Sequence, residues 1–264
     1  MNLQVFLARA GIVSSRRKAE NLIREGKIKV NGKIAQLGTT VDPMKDVVEI
    51  NGKVIKLPTQ KLYIMLNKPA GYLVAKSDTR GRKLAYELLK EPSIDGKVLS
   101  DVEFNSLFNV GRLDLNTEGL LLFTNDGEFA LKLTHPRYRV RKVYIAKLQG
   151  RISNRAVRKI ERGVWIFVKE KGKVVQKYKS QPAKVRVLGR GAKGYSVIVL
   201  KIGEGRKREV RRICETVGYP VLALKRIQIG PLQLKDLPVG KWRFLTEKEL
   251  DLLQKYLLQR IKRE

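Results

Sequence analysis

Val110-Gly111-Arg112-Leu113-Asp114-Leu115-Asn116-Thr117-Glu118-Gly119-Leu120-Leu121-Leu122-Phe123-Thr124-Asn125-Asp126-Gly127 sets a polar, glycine-bounded loop between two apolar runs. The runs at 108–110 and 120–124 are short and end in turn residues, which predicts strands. The loop carries Asp114 beside Arg112. By spacing alone, an aspartate in such a loop is a turn residue more often than a nucleophile.

Working outward, further strands are expected at 62–66, 143–148, 183–188, 195–202 and 221–229. Helices are expected at 83–89, 127–134, 154–162, 206–217 and 247–260. The last opens with Thr246-Glu247-Lys248-Glu249, a capping box. Residues 168–181, lysine-rich around Gly172, read as a loop. Strands in runs with irregularly placed helices predict an α+β fold. Its sheet is expected to be mixed, mainly antiparallel and flanked by helices.

Residues 1–57 read as a separate module. Leu3, Phe6, Leu7 and Ala10 fall on one helical face, and Gly11 ends that helix. Ser14 or Ser15 can cap a second helix with Ala19, Leu22 and Ile23 inside, closed by Gly26. Asn31-Gly32 and Asn51-Gly52 are hairpin turns. Arg16, Arg17 and Lys18 occupy the first turn of the second helix, where cations oppose the helix dipole by about 0.3–1 kcal/mol each. Their presence points to a phosphate at that end. Lys56-Leu57-Pro58-Thr59-Gln60-Lys61 is a polar stretch, with 58–61 the expected linker to a body spanning 62–264.

The chain has 264 residues, 43% of them hydrophobic, enough for a substantial core. Lys and Arg number 56 against 25 Asp and Glu, a formal charge of +31. A surplus of that size repels itself and favours a polyanionic partner. A hot-environment origin would raise acids together with bases and does not account for it. One cysteine, Cys214, and one histidine, His135, leave neither an intramolecular disulfide nor a Cys/His zinc cluster. Apolar stretches such as 120–123 and 197–200 are far shorter than the roughly 20 residues of a membrane helix. No secretory pattern opens the chain, so a cytoplasmic protein without membrane attachment is expected. The spacing G-x-G-x-x-G over 189–194 is followed by an apolar strand, not a helix, and so lacks a pyrophosphate cradle. With histidine scarce, a catalytic centre must draw on Asp, Glu, Tyr, Lys and Arg.

Two resemblances sharpen this reading. The run 9–17 together with Ile23-Arg24-Glu25-Gly26-Lys27-Ile28-Lys29-Val30-Asn31-Gly32-Lys33 resembles the alpha-L RNA-binding domain of ribosomal small-subunit protein four. Gly111-Arg112-Leu113-Asp114 followed by Thr117-Glu118-Gly119-Leu120-Leu121-Leu122 resembles the catalytic signature of the RNA pseudouridine synthases. Arg141-Lys142-Val143-Tyr144 resembles their tyrosine motif, and Leu200 through Arg212 their third motif. Motif order and the N-terminal module are similar to the RsuA/RluB branch, which modifies bacterial ribosomal RNA. Two positions depart from the pattern: Asn109 stands where a proline is expected, and Glu209 where an amide or histidine is usual.

The resemblance implies a reaction in which uracil detaches from its sugar, rotates and rejoins through C5. No metal or cofactor is implied. Asp114 would attack the nucleoside covalently, Tyr144 would lie against the uracil, and Arg211 would pair with Asp114 and keep it ionised. Leu200 and Ile202 would wall the pocket. The target base must be flipped out, with Arg112 filling the vacated stack. Arg9, Arg16, Arg17, Lys18, Lys29, Arg206 and Arg208 would meet RNA, the last two on a helix opening at Arg206. The expected substrate is ribosomal RNA, with the large-subunit 23S molecule (precursor or assembling subunit) favoured over 16S. That preference comes from His135-Pro136-Arg137-Tyr138 and Lys241-Trp242-Arg243-Phe244-Leu245-Thr246. A monomer is expected. The competing reading is a non-catalytic assembly factor that binds ribosomal RNA.

Overall fold

The computed structural model describes residues 1–261 except Ser14, Thr59, Lys171, Ala192 and Lys193. Ser14 as a cap, Thr59 of the linker, part of the glycine-rich turn and residues 262–264 of the basic tail thus lie outside the described residues.

The N-terminal elements are α1 (Leu3–Arg9), α2 (Arg16–Arg24), β1 (Ile28–Val30), β2 (Lys33–Ile34), β3 (Val48–Ile50) and β4 (Lys53–Ile55). Ser15 Oγ accepts from Lys18 N–H at 3.2 Å and caps α2. Asn31-Gly32 and Asn51-Gly52 both turn with positive φ, as two-residue hairpins require. The four strands form one sheet, ordered β2-β1-β3-β4. Leu3, Phe6, Leu7, Ala19, Ile23, Ile28 and Val48 build a core of their own.

The body contains β5 (Tyr63–Lys68), α3 (Asp101–Ser106), β6 (Phe108–Val110), β7 (Glu118–Thr124), α4 (Gly127–Thr134), β8 (Lys142–Gln149) and α5 (Asn154–Arg162). It continues through β9 (Trp165–Glu170), β10 (Lys173–Lys179), β11 (Lys184–Gly191), β12 (Tyr195–Ile202), α6 (Glu209–Thr216), β13 (Val221–Ile229), β14 (Leu232–Gln233), β15 (Trp242–Phe244) and α7 (Glu247–Ile261). The main sheet runs β11-β12-β8-β13-β7-β5-β15, with β6 and β14 at its margins. Its pairings are antiparallel except β7 with β13.

Period-two alternation divides β7 between two cores. Leu121 and Phe123 face one layer, and Leu120 and Leu122 the other. Each such buried side chain contributes about 1.5–3 kcal/mol. Helices α5 and α6 cover the first layer, α4 and α7 the second. No helix among the described residues is long and apolar enough to cross a membrane.

Three expectations are corrected. The helix at 83–89 shrinks to a 3-10 turn at Glu87–Leu89. Leu73 takes the backbone of Lys83 and Ala85 into a bridge-like pair at 2.8 Å each, so helical bonding cannot begin earlier. The stretch 168–181 is mostly strand, because β9 and β10 pair as a hairpin. Helix α6 begins at Glu209, since Arg208 adopts a left-handed conformation with φ 55°. Helix α3, with its Ser100/Glu103 capping box, was absent from the sequence expectation.

Candidate active site

Strands β13, β8 and β12 set Arg226, Tyr144 and Leu200 opposite one another. Two residues along β8, Lys142 stands between Ile229 and Ile202. Arg226, Tyr144, Lys142, Ile229 and Ile202 of these rows line a cleft of about 560 Å³. One wall is the loop from Val110 to Asp114, and another is the segment from Gly203 to Glu209. Arg112, Lys142, Arg206, Lys207, Arg208 and Arg226 line it against Asp114, Glu204 and Glu209, so cations predominate.

The Asp114 loop is held by cations that grip its carbonyls. Lys68, fully buried at the end of β5, donates to Leu115 O at 3.1 Å, Thr117 O at 2.9 Å and Pro69 O at 2.7 Å. Burial pushes this ammonium down to about 8, opposed by Glu118 and Asp114. Arg211 donates to Asn116 O at 2.7 Å and Val221 O at 3.1 Å. Thr117 N–H closes the turn onto Asp114 O at 3.0 Å. Upstream, Asn109 donates to Gly111 O at 2.8 Å and accepts from the Tyr86 hydroxyl at 3.0 Å. An asparagine in place of the expected proline thus shapes the turn into the loop.

The pairing of Arg211 with Asp114 takes a different form from the one expected. Arg211 hydrogen-bonds the loop backbone rather than the Asp114 carboxylate. Its own pKa is lowered by burial, then by Arg208, with Asp114 opposing.

The third motif carries an acid pair, Glu209 buried and Glu204 half-buried. Glu209 accepts from Arg206 N–H at 2.9 Å, while Glu204 accepts from Gln181 N–H at 2.6 Å and Arg206 Nε at 3.3 Å. Together they fix the basic turn 206–208. Burial, and then Glu204 beside it, hold Glu209 well above the usual carboxylate range. Across the cleft, burial and then Arg226 push Lys142 down to about 8, against the pull of Glu209. Glu209, which stands where an amide or histidine is usual in the family pattern, therefore supports the basic turn from within.

This pair predicts a pH dependence of stability. Folded Glu209 keeps a proton that the unfolded chain releases above its ordinary value of 4.5. The stabilisation is complete below that value and fades as pH rises through the raised one. Melting temperature should fall between about pH 5 and 8 in the native chain and stay more nearly level in Glu209→Gln. Parallel curves would show that no proton is held there.

Of the residues singled out by sequence, Arg112, Asp114, Tyr144, Ile202, Arg206 and Arg208 line the cleft. Leu200 does not: it is fully buried in the core beside Tyr144 and is not among the lining residues. Arg211 holds the loop from outside the lining. Arg9, Arg16, Arg17, Lys18 and Lys29 sit in the N-terminal module, the last four exposed. His135 caps the 3-10 turn Pro136–Tyr138 through Nδ1, which accepts from Arg137 N–H at 3.3 Å, and it also borders the cleft. Lys68, Lys142 and Arg226 were missed as site residues. Lys142 lies inside the tyrosine motif without being singled out there, Lys68 falls just past an expected strand, and Arg226 lies within one that reads as core.

A cleft that gathers an aspartate, a tyrosine and six cations, in a chain of net charge +31, suits chemistry on a polyanion such as RNA. Residues 62–216 match the family RNA pseudouridylate synthase, and residues 1–47 match the S4 domain. The chain is similar to ribosomal large subunit pseudouridine synthase B of Bacillus subtilis strain 168. The two are 41% identical over 254 residues, 96% of this chain and 95% of the other. It is equally similar to an RNA pseudouridine synthase of Aquifex aeolicus, 41% identical over 257 residues, 97% and 94% of the two chains. A solved pseudouridylate synthase superposes with a TM-score of 0.64 at 26% identity, covering 96% of this chain and 99% of its own. The chain belongs to the RNA pseudouridine synthases and carries an S4 domain at its N-terminus.

Proposed function

We propose that this enzyme isomerises one uridine of large-subunit ribosomal RNA, acting as a cytoplasmic monomer with Asp114 as its nucleophile. The observation that carries the site reading is the placement of Asp114 on a cation-pinned loop lining the same cleft as Tyr144. Asp114 bonds covalently to the flipped nucleoside, and that bond breaks again as the rejoined product forms, which returns the free carboxylate. The bond from the sugar to N1 breaks and one from the sugar to C5 forms; C5 loses a proton and N1 gains one, so nothing is consumed. Tyr144 lies against the uracil while it turns. Arg211 acts as a positioning residue through Asn116. Arg112, exposed at the mouth, fills the space left in the RNA stack. Arg206 and Arg208, with Arg9, Arg16, Arg17, Lys18 and Lys29 of the N-terminal module, neutralise phosphates. Ile202 forms an apolar wall.

The large-subunit substrate is favoured by the 41% identity to the Bacillus relative, whose name states that activity. The test is conversion of uridine in unmodified 23S and 16S transcripts by the purified chain, measured by nucleoside chromatography. Pseudouridine is expected at one position of the 23S transcript. Conversion confined to 16S would overturn the assignment.

A further inference from the structure

The β9–β10 hairpin, insignificant in the sequence reading, presents two very different faces. Ile166 and Tyr178, 1% and 8% exposed, turn inward onto the core. Trp165 and Phe167, each 52% exposed, turn outward. Register places Lys179 opposite Trp165 and Lys177 opposite Phe167. Lys177 Nζ lies 5.0 Å from the Trp165 ring centroid and 5.3 Å from that of Phe167. The single acid of the hairpin, Glu170, falls on the other face by strand alternation.

Two rings this exposed are costly in water, and no element among the described residues covers them. Residues two apart on a strand stand about 7 Å apart, side by side on one face. That spacing suits splayed bases, one on each ring, as on other sheet surfaces that stack unpaired RNA. The hairpin also adjoins the catalytic cleft. Arg206 lies over the inner-facing Tyr178 ring at 4.3 Å. Arg206 and Lys207 line both the cleft and a second hollow against Val168, Gln176 and Tyr178. The basic turn is therefore continuous with the inner face of the hairpin, whose outer face carries the two rings.

We propose that the outer face of β9–β10, through Trp165 and Phe167, is a stacking platform for unpaired bases of the RNA substrate flanking the target uridine. This rests on the enzyme's action on RNA and not on the role of Asp114. An arriving base takes the ring surface that Lys177 now covers and frees that ammonium for a phosphate.

The chain supplies its own reporter. Its other tryptophan, Trp242, is fully buried, so a change in tryptophan emission on RNA binding reads Trp165. The probes are single-stranded oligoadenylate and a blunt RNA duplex of equal length. Oligoadenylate should quench the emission and the duplex should not. The double variant Trp165→Ala/Phe167→Ala should bind oligoadenylate about tenfold or more weakly, with duplex affinity and salt slope unchanged. Both side chains are exposed, so its melting temperature should match the native chain. Absence of quenching, an equal loss on both probes, or a variant altered only in its sedimentation as an oligomer would overturn the proposal. The same titration in Asp114→Asn separates the two readings: quenching there supports the platform whatever that variant's catalytic rate.

Discussion

Asp114→Asn is expected to lower the rate of uridine isomerisation by at least about 10³-fold, with RNA affinity within about threefold of the native value. The substitution keeps shape and removes the only feature a nucleophile needs, an available electron pair on a charged oxygen. Asp114 joins its loop through the backbone, where Thr117 N–H meets its carbonyl at 3.0 Å. The grips of Lys68 on Leu115 and Thr117, and of Arg211 on Asn116, also use backbone oxygens. An amide at 114 therefore leaves the loop in place. The phosphate contacts that dominate affinity come from other residues. The measurement is pseudouridine content against time at saturating RNA, beside a separate binding titration. Native-like turnover by the variant would remove Asp114 from the chemistry and, with it, the proposed mechanism.

Gly119→Ala is expected to destabilise the fold by about 3–5 kcal/mol, seen as a fall of about 10 °C or more in melting temperature. Gly119 has φ 104°, a conformation that strains any residue with a side chain. A methyl there would stand 2.2 Å from Arg226 O and 2.8 Å from Arg226 N, which are backbone atoms that cannot rotate away. The position matters because β7 and β13 are joined in parallel only through Glu118 with Lys225 and Gly119 with Arg226. That short junction lets Arg226 Nε reach Leu120 O at 2.8 Å and sets the guanidinium beside the Asp114 loop. Activity should fall with stability, and a conversion assay at low temperature should show a loss even where the variant stays folded. A variant within about 1 kcal/mol of native would mean that the two strands separate easily.

Local elements were legible wherever the deciding interactions lie within a few residues. The Asn-Gly turns, the Thr246/Glu249 capping box and helices α4 and α5 depend on neighbours close in sequence. Alternation failed to mark β9–β10 because one of its faces is neither polar nor buried: Trp165, Phe167, Val174 and Val175 are exposed. Helix α6 was extended too far because Arg206, Lys207 and Arg208 are good helix formers. The carboxylates of Glu204 and Glu209 capture the Arg206 segment into a turn instead.

By itself, the sequence determined the class of chemistry. Charge imposed a polyanionic partner, spacing placed an aspartate between two strands, and the ordered motifs fell at 111–122, 141–144 and 200–212. Tertiary structure alone decided how that aspartate is held. Lys68 reaches Thr117 across 49 residues, Arg211 reaches Asn116 across 95, and Arg226 reaches Leu120 across 106. Periodicity reports only which face of an element is buried. Which distant cation meets which carbonyl depends on strand order, and strand order is set when both cores close around the sheet.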